Sequence, residues 1–319
     1  MLVIDTFQQE SELRVRAAHL YHLEGLTQDA VAQALGITRS RVLRMLASAR
    51  DDGTVQIRVT AQLSHCVELG RQLERRFGLE RAQVIPRPQD EGKVAELIGA
   101  ATGAYLDDVL GEGMTVGLGW GRTLSASLPN IAQRKIDRLT VVSLLGGLTR
   151  VSVLNPSEFA WRFADRLGAE CFLMAAPVYA PDPQTRDALV NHVGLEHVFR
   201  LAQKLDLAIV SVGDLSPNSM LGRFGVLTRD EIASLVRAGA VGDILCRFID
   251  ERGETLDHPL NDRVISAPPA MIRDARRIVL ASGGWEKLAP IRAALALLRP
   301  QMLITDEVVA NGLLDEPRQ

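Results

Sequence analysis

The sequence predicts an α/β protein with an all-helical N-terminal segment, and three observations lead there. Apolar stripes of helical period, punctuated by glycine, fill residues 13–50. From about Ala82 short apolar runs alternate with helix-period stretches, the pattern of a largely parallel sheet covered on both faces. Glycine clusters then follow several of those runs, at the strand ends where open parallel sheets bind ligands. The 319 residues, 47% apolar and 24% charged, suffice for two domains and exclude long disorder. The expected divisions are 1–60, a linking and dimerising segment 61–80, and 81–319.

In the first segment, residues 13–23 read as a helix with Val15, Ala18 and Leu23 toward a core and Arg14 and Arg16 outward. Gly25 ends it. Thr27 can cap a short helix over 28–35 by accepting a bond from an orphan amide, and Gly36 supplies a positive-φ turn. Thr38 caps a third helix over 39–50. There Val42, Met45, Leu46 and Ala49 make one buried stripe, while Ser40, Arg41, Arg44 and Ser48 face outward.

The net charge of −3 argues against a surface coated in positive charge, yet charge can be concentrated locally. Residues 37–50 hold Arg39, Arg41, Arg44 and Arg50 and no acid. A helix, a tight turn and a cationic second helix are what insertion into the major groove of double-stranded DNA requires. Arginine can fork onto guanine or hold a phosphate, and helix N-termini contact phosphates. Thr27, Gln28, Thr38, Arg39, Ser40, Arg41 and Arg44 are therefore the candidate DNA contacts. Residues 54–60 alternate polar and apolar, a strand that suggests a winged variant. The competing reading is a plain three-helix bundle with a solvated arginine face. Residues 63–77 read as a linking helix whose Leu63, Val67, Leu73 and Phe77 either meet a second copy in a dimer or pack on the C-terminal domain.

Beyond it, strands are expected at 114–118, 139–145, 171–176, 207–212, 242–249, 277–281 and 302–304. Helices are expected at 92–109, 157–167, 195–203, 229–237, 286–298 and 307–314. Gly117-Leu118-Gly119-Trp120-Gly121-Arg122-Thr123 follows a strand and opens a helix, so its amides, Arg122 and Thr123 can hold a phosphate. It is not a dinucleotide fingerprint, because the third glycine falls too early. Gly146-Gly147 and Ser282-Gly283-Gly284-Trp285-Glu286-Lys287 follow two further strands. Lys287, one of four lysines in the chain, is badly placed for the helix macrodipole, which an anionic ligand would explain. Asp243, Asn261 and Asp306 can bond sugar hydroxyls, although for each alone a turn or N-cap role is the commoner one, and Asp306 in particular can simply cap the last helix.

Taken together these residues resemble the SorC, or sugar-binding, family of bacterial transcriptional regulators. Leu20 to Gln28, Ala34 to Arg39 and Arg44 to Arg50 resemble its DNA-binding segment. Gly117 to Thr123, Val241 to Ile244, Gly283 to Lys287 and Leu303 to Glu307 resemble its effector-domain motifs. The resemblance implies a winged-type helix-turn-helix joined to a Rossmann-like α/β effector domain similar to sugar-phosphate isomerases and deaminases. It also implies control by a sugar, sugar phosphate or polyol, and a homo-dimer or tetramer on DNA. Trp285 departs from the smaller residues expected at that place in relatives.

The expected function is thus a regulator of a carbohydrate or polyol operon. The alternatives are a sugar-phosphate isomerase-like enzyme with a DNA-binding head, using Asp243, Asp306 and Lys287, or a DNA-architectural protein without a ligand. No nucleophile–base pair or metal spacing stands out, so neither catalysis nor a cofactor is expected. Cys66, Cys171 and Cys246 are too scattered for a disulfide framework, residues 1–12 lack a signal-peptide pattern, and no membrane span is visible. A cytoplasmic location is expected.

Overall fold

The computed structural model describes residues 2–51, 61–149, 155–216 and 219–315. They form two compact units, Met1–Thr60 and Ala61–Gln319. The first contains the helices Leu2–His22, Gln28–Leu35 and Arg39–Asp51. Ala17, Ala18, Val31, Ala32, Val42, Met45, Leu46 and Ala49 make its core, so the expected stripe of the third helix is buried. The first helix buries Ala18 as expected but otherwise turns differently. Its packed row follows Leu13, Ala17, Leu20 and Tyr21 at helical spacing, which leaves Val15 and Leu23 exposed. Arg14, expected outward, donates to the Ser48 hydroxyl at 3.1 Å. The strand expected at 54–60 lies outside the described residues.

The second unit is built on strands β1 (Arg81–Ile85), β2 (Thr115–Leu118), β3 (Thr140–Gly147), β4 (Glu170–Pro177), β5 (Leu207–Val210), β6 (Val212–Gly213), β7 (Gly242–Ile244), β8 (Arg247–Ile249), β9 (Ile278–Ala281) and β10 (Met302–Asp306). Seven pair in the order β1-β10-β9-β5-β2-β3-β4, with every pairing parallel. Side chains alternate between the faces. Val142, Ala208, Val210, Ile278, Leu280 and Leu303 join one core, while Val141, Leu207, Ile209, Val279 and Ile304 join the other. Strands buried on both faces need helices on both, and so carry the near-continuous apolar runs seen in the sequence.

Three elements depart from expectation. The edge strand β1 was not anticipated, because Arg81-Ala82-Gln83-Val84-Ile85 carries little apolar signal. The segment 207–212 divides into β5 and the short β6. The segment 242–249 is a hairpin, not one strand. β7 and β8 pair antiparallel, and Leu245 and Cys246 between them take φ of 52° and 62°. That is the geometry of a tight hairpin turn usually made by Asn-Gly, so Leu-Cys gave no turn signal. The turn is held from outside: the Cys246 amide donates to the Asp243 carboxylate at 2.8 Å, and the Tyr179 hydroxyl donates to the Cys246 carbonyl at 2.8 Å. Helix Ala61–Phe77 buries Cys66, Leu69 and Leu73 in the second unit's core, and Glu74 accepts the Ala82 amide at 2.9 Å. Val67 stays 57% exposed. Of the two partners open for this helix, its own domain therefore takes the Cys66–Leu69–Leu73 row.

Candidate functional site

Two places gather the residues singled out above. On the first unit, the Thr27 hydroxyl accepts the Ala30 amide at 3.2 Å and caps Gln28–Leu35, and Gly36 ends that helix at φ 65°. The Thr38 hydroxyl accepts the Arg41 amide at 3.3 Å and lies 3.1 Å from the Ser40 hydroxyl. Arg39 donates to Gln28 at 3.5 Å and pairs with Asp29 at 3.6 Å, which brings the two helix N-termini together. Arg41 pairs with Glu10 at 3.6 Å. Arg44 is exposed and has no hydrogen bond or ion pair among the described residues. Contacts thus gather Thr27, Gln28, Thr38, Arg39 and Ser40 at the two helix N-termini, Arg41 leans on the first helix, and Arg44 is an uncommitted cation among the described residues. The Arg50 side chain lies outside the described residues.

On the second unit a cavity of about 680 Å³ opens at the carboxyl ends of β1, β10, β9, β5 and β2. This is where a doubly wound sheet offers convergent backbone and side-chain groups. Of the candidates, Trp120, Gly121, Arg122, Thr123, Asp243, Gly283, Gly284, Lys287 and Asp306 line it. Five other candidates do not. Gly117 is inside β2, where a Cβ would come within 2.6 Å of Leu205 and 2.9 Å of Leu144, so it serves packing. Gly119 is held by its amide bond to the Ile209 carbonyl at 2.8 Å. Gly146 and Gly147 pair with β4, away from the cavity wall. Asn261 clamps the chain instead: it accepts the Phe248 amide at 2.8 Å and donates to the Phe248 and Leu256 carbonyls at 3.0 and 2.8 Å.

The charges in the cavity are arranged in layers. Asp243 is 3% exposed, and burial raises its carboxyl to about 6, reinforced by Asp214 and opposed by the Cys246 amide and Lys287. Gly213 faces Asp243 across β6–β7, and a Cβ there would collide with the carboxylate. Burial lowers the Lys287 ammonium, while Asp214 and Asp243 favour its charge. The awkward place of Lys287 before helix Leu288–Leu298 is thus compensated by carboxylates of the protein itself. Asp306 is 1% exposed and caps Glu307–Leu314, accepting the Val308 and Val309 amides at 2.9 and 3.1 Å, and the Gly284 amide at 2.7 Å. The helix after Gly121 runs only Arg122–Ser125, too short for a strong dipole, so donors there come from the side chains. Arg122 and Arg223 are exposed at the mouth and form no ion pair among the described residues.

Residues 61–315 match the family of sugar-binding domains. The erythritol catabolism regulatory protein of Brucella abortus (strain 2308) is 32% identical over 310 residues, covering 97% of this chain and 98% of that protein. The chain belongs to the SorC family of sugar-binding transcriptional regulators. The deoxyribonucleoside regulator of Bacillus subtilis (strain 168) is 29% identical over 313 residues, covering 97% of this chain and 99% of that one. The crystal structure of the full-length sorbitol operon regulator from Klebsiella pneumoniae superposes with a TM-score of 0.72 at 27% identity, covering 95% of this chain and 99% of that one. These SorC-type relatives bear the names of regulators, not of enzymes.

Sequence reasoning missed several residues of this SorC-family cavity: Arg87, Glu91, Ser211, Asp214 and Arg223. Arg87 follows β1, so missing the strand hid the residue. Gly213-Asp214 lies just past β5, at the end of β6, and obeys the strand-end rule, but a single glycine makes no cluster. Nothing in the sequence marks Arg223. No described helix is long and apolar enough to cross a membrane, and no described cluster of His, Cys, Asp and Glu could hold a metal ion.

Proposed function

We propose that this SorC-family regulator binds operator DNA through Thr27, Gln28, Thr38, Arg39, Ser40, Arg41 and Arg44, as a homo-dimer or tetramer. Its DNA affinity is set by a sugar, sugar phosphate or polyol held in the strand-end cavity, without turnover. The erythritol and sorbitol regulators among its relatives favour a carbohydrate or polyol operon as the target. The observation that carries the reading is the cavity's mixture of carboxylates and cations, Asp214 and Asp243 beside Lys287 and below Arg122. Carboxylates accept from hydroxyls and cations hold an anionic substituent, which suits a compact polyhydroxy ligand.

A ligand changes DNA affinity only by binding the DNA-competent and incompetent arrangements unequally. The test is a gel-shift titration in which free and phosphorylated sugars and polyols, first selected by thermal stabilisation of the full chain, are added to the protein–operator complex. A stabilising ligand should move the DNA half-saturation point. Ligands that stabilise the protein but leave DNA affinity unchanged would overturn the mechanism, and turnover of pentose or hexose phosphates abolished by Asp243→Asn would favour the enzyme.

A further inference from the structure

A second crevice, of about 490 Å³, lies between the helices Pro183–Val190 and Val193–Ala202, strand β8 and the segment that follows Val264. It shares no lining residue with the strand-end cavity. Its walls bring together Arg186, Arg200 and Arg247 with the amides Asn191 and Gln203, against one carboxylate, Glu196. Phe199, Val264 and Met271 give it an apolar floor.

The cations are incompletely matched. Arg247 is the innermost. It donates to the Ser266 carbonyl at 3.2 Å and the Asn261 carbonyl at 3.5 Å, but its Nε is buried without a partner, and no carboxylate among the described residues pairs with it. The Ser266 hydroxyl beside it, in a residue 1% exposed, is likewise buried without a partner. Burial lowers the Arg247 guanidinium to about 10, and the like charge of Arg186 adds to this, while Tyr179 and the Asp262 carboxylate, neither of them paired with it, oppose the shift. Arg186 pairs with Asp187 at 3.0 Å and donates to the Asp262 carbonyl at 3.1 Å. Arg200 is exposed and has no hydrogen bond or ion pair among the described residues.

A guanidinium withdrawn from water without a counter-ion is unfavourable unless something anionic completes it. Planar guanidinium forks match the two oxygens of a carboxylate or phosphate, and the crevice has the size of a small-molecule site. We propose that this crevice is a second ligand site, for a small metabolite carrying a phosphate or carboxylate group, whose oxyanion is held by Arg200 and Arg247 and whose body rests on Phe199 and Met271. The site is separate from the strand-end cavity and stands whether or not that cavity takes a sugar.

The test is calorimetric titration of the full chain with inorganic phosphate and, separately, with malonate. The strand-end cavity is first weakened by Arg122→Gln and Arg223→Gln, two exposed side chains without ion pairs among the described residues. Saturable binding of one anion per protomer is expected to persist, and the better of the two probes tells a phosphate-bearing from a carboxylate-bearing ligand. Adding Arg247→Gln should weaken that binding by about tenfold or more, and Arg200→Gln by several-fold. Because Arg200 is exposed, its variant should keep the parent melting temperature and so report on binding alone. The proposal falls if neither probe binds saturably, or if Arg200→Gln and Arg247→Gln both leave affinity unchanged. It also falls if they change the oligomeric mass without altering anion affinity, which would make the crevice an interface between copies.

Discussion

The cationic helix and the strand-end cavity handle charge in opposite ways. The helix presents Arg39, Arg41 and Arg44 to solvent on a stretch of sequence barely a dozen residues long, and among the described residues its only ion pairs are loose and exposed, Arg39 with Asp29 and Arg41 with Glu10. The cavity draws Asp214, Asp243, Lys287 and Asp306 from distant strand ends and buries two of them, Asp243 and Asp306. Exposed pairs contribute little to stability, so the helix can carry its charges for a partner at small cost. Buried charges have to be compensated within the fold. The same substitution should therefore act mainly on binding in the first place and on folding in the second.

The largest test of that contrast is Asp306→Ala. One side chain that is 1% exposed satisfies three amides, those of Gly284, Val308 and Val309. Losing the cap and leaving buried donors unpaired should destabilise the second unit by about 2–4 kcal/mol in urea denaturation. A loss below about 1 kcal/mol would mean that water replaces the carboxylate and that this end of β10 is wetter than its burial implies.

The next effect, in Asp243→Asn, has a pH signature. Burial raises this carboxyl from 3.8 to about 6, so between those values the folded state binds more proton than the unfolded state. Its contribution is then fully present below pH 3.8 and is lost as pH rises through 6. An asparagine can still accept the Cys246 amide and carries no such loss. The variant should therefore gain on the parent as pH climbs from 4 to 7, by up to about 3 kcal/mol. Melting curves across that range give the answer, and parallel curves would show that the Cys246 amide and Lys287 offset the burial of Asp243 completely.

The same contrast governs what could be read from the sequence. The helical segment was legible because a stripe such as Val42, Met45, Leu46 and Ala49 declares both its period and its outward arginines locally. The sheet was legible for its central strands, which are apolar on both faces. It was not legible at β1, whose Arg81 and Gln83 mask an edge strand, or at the Leu245-Cys246 turn. That turn depends on Asp243 and Tyr179, the second 67 residues away from the carbonyl it binds. The cavity was half legible. Glycine clusters marked strand ends, yet they could not show that Gly117 packs inside the sheet, that Asn261 serves the backbone around β8, or that Asp214 completes the charge pattern around Lys287. Those facts belong to contacts between segments far apart in sequence.

On the helix, Arg44→Ala should change DNA binding and leave folding alone. Arg44 has no partner among the described residues, so its removal leaves no charge stranded. If it reads a base, specific affinity should fall by about 1–3 kcal/mol with relaxed specificity at one position. A phosphate contact would instead weaken all sequences alike and reduce the salt slope by about one. Fluorescence anisotropy with a selected operator, at several salt concentrations, separates the two. Unchanged affinity would move DNA reading to another residue of this face.

The smallest effect is the most direct comparison with Asp306. Thr27 also caps a helix, accepting the Ala30 amide at 3.2 Å, but it does so in solvent. Without the hydroxyl, water can satisfy that amide, so Thr27→Ala should cost the first unit only about 0.5–1 kcal/mol. The same variant removes a hydroxyl beside Gln28, which Arg39 contacts, so its effect on DNA affinity should equal or exceed its effect on melting. If Thr27→Ala instead destabilises as strongly as Asp306→Ala, the first unit relies on its caps as the second does. The division between a face committed to a partner and a cavity committed to its own fold would then be lost.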